Sequence, residues 1–297
     1  MSEETKYKLF NPFSGLFAKM MVPLGQLRYY KVYHRWRELK HPVTFYDKVF
    51  WMMRFADLTR WAEMADKYAV RDYVARTCGS EILTNLYGVY DKAGDIDFDA
   101  LPNQFVVKAN NGCAANFLVR DKATANLEEI RKKLDFWLDI RYGELTGQPH
   151  YSLIKPRIIA EQLLVQDGDI NKALIDYKFN CFDGFVHSCA AYRDRVEGSH
   201  QFARMDYDMD WNPHPEWTVP GKEKLAPTPR PKCLEQMIDI AHRLSKGFPF
   251  VRVDLYCIDD KPYFGEMTFA PGLVFFSDEF QIMLGDMIDL SKVKLRK

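Results

Sequence analysis

An α+β fold built on largely antiparallel sheet is what this sequence predicts, and three observations predict it. Apolar residues recur at helical spacing through the first part of the chain. The second half strings strands together with few helices to carry parallel crossovers. Two of its strand pairs flank two-residue turns, Asp183-Gly184 and Asp259-Asp260, which favour hairpins. A doubly wound parallel sheet needs a crossover after nearly every strand, and this order lacks them.

In residues 45–77, Phe45, Val49, Met52, Met53, Phe55, Leu58, Trp61, Met64 and Ala65 fall three and four apart, on a helix face. Asp57 or Thr59 can open a second helix there, and Cys78-Gly79-Ser80 ends the run. Residues 82–90 read as strand, and the polar stretch 91–102 as a loop and subdomain boundary. Strands follow at 104–108 and 116–119 around an Asn110-Asn111-Gly112 turn, then a charged helical stretch over 124–147. Residues 158–164 form a further strand, 173–182 and 185–192 one hairpin, 232–246 a helix, and 250–258 with 262–267 a second hairpin. Residues 199–230 hold five of the fifteen prolines and read as loop. The expected organisation is a mostly helical region over 1–100, a small α+β subdomain over 101–160 and a large one over 161–297.

Composition narrows the function. The 297 residues carry 41 basic and 41 acidic side chains, without the basic excess of a general nucleic-acid binder. With 47% hydrophobic residues the chain can bury a core. The six cysteines form no CxxC pair and read as free thiols of a reducing compartment. No apolar run reaches the roughly 20 residues of a membrane span, and the N-terminus opens with Glu3 and Glu4 rather than a signal peptide, so the expected location is cytoplasmic. Residues 1–40 are nevertheless basic, with Lys6, Lys8, Lys19, Arg28, Lys31, Arg35, Arg37 and Lys40 among Phe10, Phe13, Phe17, Tyr29, Tyr30, Tyr33 and Trp36. That pattern suits peripheral contact with an anionic membrane surface at the inner face. It also suits an ordinary helix packing its aromatics inward, and Pro12, Pro23 and two glycines break any long amphipathic face.

Four constellations can carry chemistry. Lys108 ends an apolar strand two residues before the Asn110-Asn111-Gly112-Cys113 turn, so a cation and a flexible backbone both lie within reach of a phosphate. Alone, Lys108 reads more simply as a solvated strand-end lysine. Glu161-Gln162-Leu163-Leu164 follows an apolar strand, where backbone can read an adenine edge and an acid can hold ribose hydroxyls, or where the acid is merely exposed. Asp176 and Lys178 share one strand face, as an ion pair or as a phosphate contact. Most informative is the last hairpin. Arg252, Asp254 and Tyr256 share one face of one strand, Glu266 and Thr268 one face of its partner. The hairpin brings Asp254 beside Glu266, and paired carboxylates need a cation between them. Oxygen-only ligands suit Mg²⁺ bound together with substrate phosphates, which Arg252 can grip. Asp206-Tyr207-Asp208 is a weaker DxD pattern of the kind that holds the metal of a nucleotide-sugar transferase, and it reads more simply as a solvated acidic loop. There is no Walker A sequence, GxSxG elbow or HExxH, and the histidines show no paired spacing.

In this order the pieces resemble the ATP-grasp superfamily, and within it the TupA-like branch. The resemblance runs through residues 65–74, 105–119, 159–164, 176–184 and 250–272. It implies two α+β subdomains gripping ATP, with Lys108 on the phosphates and Asn111, Gly112 and Cys113 in the loop that covers them. Glu161, Gln162, Leu163 and Leu164 would form the adenine- and ribose-reading hinge, with Asp176 also at the nucleotide. Asp254 and Glu266 would hold Mg²⁺, and Arg252 and Lys178 would act on the transferring group. Thr268 stands where many members place an asparagine metal ligand. Lys67 and Arg71 fit the lead-in helix of the branch, with no role that follows. The implied activity is ATP-dependent ligation of a carboxylate to an amine through an acyl phosphate. The branch further implies a carboxylate-bearing glycan, for instance with uronic acid, and an amine or amino acid as partners in surface polysaccharide assembly. A glycosyltransferase using a nucleotide sugar, or a sugar kinase of the same fold, is the alternative. Arg193, Arg195, Arg204 and Trp211 are candidate contacts to an anionic glycan.

Overall fold

A computed structural model describes residues 10–196, 201–221, 224–272 and 276–297; Glu3, Glu4, Lys6 and Lys8 therefore lie outside the described residues. Two compact units divide it. The smaller gathers the chain up to Leu27, Leu58–Asp72 and Thr84–Leu163, and the larger Arg28–Asp57, Tyr73–Leu83 and the described residues from Leu164 onward.

The smaller unit is a four-stranded antiparallel sheet in the order β1-β4-β2-β3, made of β1 (Leu86–Tyr90), β2 (Phe105–Ala109), β3 (Asn116–Val119) and β4 (Ile158–Glu161). Phe105, Val107, Val119, Ile158 and Ala160 alternate inward, where they bury against Ile130 and Leu134. Those two lie four apart on one helix, Leu127–Asp139, whose start is capped by the Asn126 side chain accepting from the Glu129 amide. The expected strand over 82–90 begins only at Leu86, because Ser80–Ile82 closes a 3₁₀ turn first. Likewise 158–164 is strand only as far as Glu161, and the chain passes from one unit to the other between Leu163 and Leu164.

The larger unit is a five-stranded antiparallel sheet in the order β7-β6-β5-β8-β9, made of β5 (Asp176–Phe182), β6 (Phe185–Arg193), β7 (Ala203–Tyr207), β8 (Val251–Ile258) and β9 (Lys261–Thr268). Both hairpin turns form where the dipeptides put them: Asp183 and Gly184 take φ of 47° and 89°, Asp259 and Asp260 take 51° and 61°. These left-handed pairs match the twist of the flanking strands. Helix Leu234–Ser245 packs against β5 and β8. Helix Phe45–Phe55, closed by a Thr44/Asp47 capping box, packs against helix Asp278–Asp286, which sequence reasoning did not locate.

One further expectation is corrected. Residues 199–230 contain a fully buried strand, β7. The N-terminal helix that the sequence offered as one reading is present, and Ser14–Tyr33 runs unbroken through Pro23 and both glycines. One proline removes a single backbone donor, so the helix need not end there. Leu16, Met20, Leu24, Leu27 and Tyr30, three and four apart, form an exposed stripe along it, Leu16 at 63% exposure.

Candidate active site

In the smaller unit, β2 and β4 set Lys108 opposite Ile159, one residue pair from the start of the glycine turn. Its ammonium pairs with the Glu161 carboxylate. Glu161 also accepts from Thr84 Oγ1 at 3.2 Å and faces Arg71 Nη1 at 3.8 Å, and it is 7% exposed. Burial lowers the Arg71 pKa, with Glu161 pulling against it. So Lys108 is neither solvated nor loose, and Glu161 is not an exposed strand end. Arg71, for which the sequence offered no role, is one of the groups holding Glu161. Gln162 pairs twice with Asn85, its amide donating at 2.9 Å and its Oε1 accepting at 3.2 Å. Leu163 and Leu164 are half-buried.

The turn after Lys108 is pinned from below. The buried Asn110 amide donates to Asp66 Oδ1 at 2.8 Å and to the Lys155 carbonyl at 3.1 Å, while its Oδ1 accepts from the Arg157 amide at 2.7 Å. Lys67 donates to the Gly112 carbonyl at 2.6 Å, a further tie on the turn. A Cβ on Gly112 would come within 3.1 Å of the Tyr142 ring, so glycine is what lets the turn lie this close. Asn111 is buried and Cys113 exposed.

In the larger unit the predicted pairing is realised in register. Lys178, Asp254 and Glu266 form one row across β5, β8 and β9, and Asn180, Arg252 and Thr268 the next. Gly265 is the extra residue of a bulge beside Asp254, and a Cβ there would meet the Asp254 carbonyl at 2.9 Å. Arg252 grips Asp254 with two bonds of 2.6 Å, Nε to Oδ1 and Nη2 to Oδ2. Lys178 Nζ lies 2.5 Å from Asp254 Oδ2 and 2.5 Å from Asp176 Oδ2. Thr268 Oγ1 donates to Glu266 at 3.0 Å and accepts from Arg252 at 3.1 Å, so its hydroxyl links those two groups. Burial works to lower the pKa of both Lys178 and Arg252, but the surrounding acids outweigh it, and both are raised. The two cations are locked in their charged form.

Mg²⁺ fits these residues. A buried Lys178 and a partly buried Arg252 face three acids, Asp176, Asp254 and Glu266, and Arg195 reaches Asp176 only at 4.0 Å from a half-exposed position. Asp176 Oδ1 is buried without a hydrogen-bond partner. An all-oxygen set with a spare buried carboxylate oxygen matches a hard cation that keeps phosphate oxygens and water as its other ligands. Among the described residues no three His, Cys, Asp or Glu converge on one metal position by themselves.

The DxD pattern does not survive as a metal site or as a solvated loop. Asp206 lies in β7 at 1% exposure, paired with the fully buried Arg204 at 2.8 Å and accepting from Thr218 at 3.2 Å. Asp208 accepts from the Asp210 and Asn212 amides and from the Asn212 side chain. Of the glycan-contact candidates, Arg204 is committed inside, Trp211 stacks on Tyr207 at 4.1 Å, and Arg193 pairs with Asp194 at 2.9 Å.

Comparison with known proteins adds the family. A model of TupA-like ATP-grasp proteins matches residues 47–289. A search of curated proteins returns no match. Among solved structures, D-alanine–D-alanine ligase from Bacillus anthracis complexed with ATP is 16% identical with a TM-score of 0.49, over 79% of this chain and 67% of that one. The Helicobacter pylori D-alanine–D-alanine ligase is 16% identical with a TM-score of 0.43, over 76% and 61%. The ATP-grasp ligase PsnB complexed with minimal precursor, Mg and ADP is 11% identical with a TM-score of 0.40, over 80% and 62%. Such distant likenesses decide nothing by themselves; the family match spans most of the chain, and the chain belongs to the TupA-like ATP-grasp family, an ATP-dependent enzyme of that α+β fold.

Proposed function

We propose that this enzyme is an ATP-dependent carboxylate–amine ligase that works through an acyl phosphate in surface polysaccharide assembly. The observation that carries the reading is the β8–β9 row: Asp254 in register with Glu266, flanked by buried Lys178 and partly buried Arg252. Asp254 and Glu266, with the Thr268 hydroxyl beside them, would hold Mg²⁺, which when bound neutralises phosphate charge. Asp176, two residues from Lys178 on the same face of β5 and in register with Tyr256, would offer its spare oxygen to the nucleotide. Lys108 serves as a phosphate cation, kept in place by Glu161. The Asn111-Gly112-Cys113 backbone supplies amides to phosphate oxygens. Glu161, Gln162, Leu163 and Leu164 read adenine and ribose.

A substrate carboxylate oxygen attacks the γ-phosphorus, and the bond to the β–γ bridging oxygen breaks, leaving ADP. Arg252 and Lys178 stabilise the charge spread over the transferring oxygens. An amine then attacks the acyl carbon, phosphate departs, and the amine proton passes to solvent, leaving an amide. No protein nucleophile is required. The glycan partner, bearing a carboxylate such as that of a uronic acid, and its amine or amino-acid acceptor rest on the family branch.

The test is thermal unfolding with ATP or ADP and Mg²⁺, beside the Asp254→Asn/Glu266→Gln double variant. At ligand a hundredfold above its dissociation constant, binding stabilises by about 2.7 kcal/mol. The shift is expected to need Mg²⁺ and to vanish in the double variant. A shift with a UDP- or GDP-sugar and none with ATP would sink the ligase and favour a glycosyltransferase. ATP turnover giving a phosphorylated sugar with no amine requirement would mark a kinase instead.

The same proposal includes peripheral contact with the cytoplasmic membrane face. Helix Ser14–Tyr33 carries Lys19, Arg28 and Lys31 with no acid, around the exposed apolar stripe, and Trp36 stacks on Tyr30 at 4.7 Å. Charge and aromatic girdle both suit anionic lipid. None of the described helices is long and apolar enough to cross a membrane. In flotation assays the protein is expected to rise with phosphatidylglycerol vesicles and stay down with phosphatidylcholine. Replacing Leu16, Met20 and Leu24 by serine should abolish the difference; flotation unchanged in that variant would place the contact elsewhere.

A further inference from the structure

Behind the carboxylate row, on the other face of β8, two thiols meet. Cys233 begins helix Leu234–Ser245, and Cys257 lies near the end of β8. Their sulfurs are 2.6 Å apart, with Cys233 donating. That is about 0.5 Å beyond the length of an S–S bond, which is about 2.05 Å. The other four cysteines form no such pair: Cys113 is exposed beside Tyr151, and Cys78, Cys181 and Cys189 are buried. The two partners differ in access. Cys257 is half-buried and open to a small solute, whereas Cys233 is 2% exposed.

We propose that Cys233 and Cys257 form a reversible, peroxide-driven disulfide, a modification site independent of the ligase reading. The Cys257 thiolate attacks one oxygen of hydrogen peroxide; the O–O bond breaks, hydroxide leaves, and Cys257 becomes a sulfenic acid. The Cys233 sulfur then attacks the Cys257 sulfur, the S–OH bond breaks, and water leaves with the Cys233 proton. In sum two thiols and one peroxide give one disulfide and two waters. The hydrogen bond from Cys233 lowers the Cys257 pKa, against burial, and Cys257 is also the more accessible of the two sulfurs. The Cys233 pKa is raised, first by that same bond and then by burial, so of the two Cys233 is the one that keeps its proton before Cys257 is oxidised.

The bond ties the first turn of a helix to the strand that carries Asp254. Cys257 shares its strand face with Val251, Val253 and Leu255, which are buried, while Arg252 and Asp254 project from the other. The disulfide therefore leaves the carboxylate row untouched and closes a loop of residues 233–257, which restricts the unfolded chain and stabilises the fold.

The full-length protein would be exposed to hydrogen peroxide at a few equivalents, then examined by intact mass, peptide mapping and thermal unfolding. Expected are a mass lower by two hydrogens, a 233–257 cross-link, a higher melting temperature, and reversal of all three by dithiothreitol. Cys233→Ser should stop at a sulfenic acid on Cys257 that dimedone traps. Cys257→Ser should leave Cys233 reduced and consume peroxide at least about tenfold more slowly, because the low-pKa thiolate is gone. Both serine variants are near-isosteric, and the reduced melting temperature of each reports its folding. Oxidation confined to Cys113 in wild type, or a Cys257 that stays alkylatable throughout, would overturn the proposal.

Discussion

Asp254→Asn is expected to lower the stability of the larger unit by about 3 kcal/mol and, separately, to abolish its Mg²⁺-dependent response to ATP. The first effect follows from burial. Asp254 is 1% exposed and accepts from Arg252 and Lys178, so neutralising it leaves a buried and a partly buried cation short of their shared counter-charge. The penalty is no larger because neither cation is stranded. Lys178 keeps Asp176 at 2.5 Å, and Arg252 keeps Glu266 at 3.6 Å. The second effect follows from the proposed metal role and has a different readout. If Asp254 only anchors the sheet, its variant melts earlier but shifts as far as wild type when MgATP is added. Glu266→Gln separates the two further. Its side chain is 29% exposed and only at the edge of the ion network, so it should cost little stability while losing the ligand-induced shift. Urea unfolding with and without MgATP measures both quantities on each variant, and a retained shift in both would remove the carboxylate row from the nucleotide site.

That row was legible because strand periodicity and a turn dipeptide are local signals. Asp259-Asp260 sets the hairpin, the hairpin sets the register, and the register sets Asp254 opposite Glu266. Lys108 ahead of its glycine turn was legible for the same reason. What surrounds these residues was not, because it arrives from far along the chain. Arg71 and Thr84 reach Glu161 across 77 residues or more, and Asp66 reaches Asn110 across 44. No spacing rule announces such partners. Nor did pattern reveal that Glu161 would be buried, since an acid after an apolar strand looks the same whether a lysine awaits it or water does. β7 was misread for a related reason. Ala203-Arg204-Met205-Asp206-Tyr207 alternates like a strand, but its alternate positions are charged and prolines follow, so it passed for loop. The charges neutralise each other two residues apart on one face, a possibility that hydrophobic periodicity does not score.

The Arg204–Asp206 pair lends itself to a direct measurement. Arg204→Met should destabilise by about 3–5 kcal/mol, because Asp206 is left buried with, among the described residues, the Thr218 hydroxyl as its remaining side-chain donor. The Arg204→Met/Asp206→Leu double variant should recover to within about 1 kcal/mol of wild type, since a buried ion pair is often replaceable by apolar groups of similar volume. Methionine is the suitable replacement: the guanidinium lies over the Tyr192 and Phe276 rings at 5.6 and 5.3 Å, and a thioether also packs well on aromatics. A double variant as unstable as the single one would mean that the pair organises more than its own charges. The response to MgATP decides what the pair is for. Arg204 borders a small cavity, about 10 Å³, together with Lys178 and Arg252, so it stands close to the groups proposed to act on the transferring phosphoryl. It is nevertheless held by its own acid on its own strand, whereas Lys178 and Arg252 converge on Asp254. The ligand-induced shift should therefore survive in the double variant, which makes the pair a device that fixes β7 in the sheet. Its loss with stability recovered would instead count Arg204 as a third cation of the anion-binding wall, supplied by the one strand of the site that the sequence concealed.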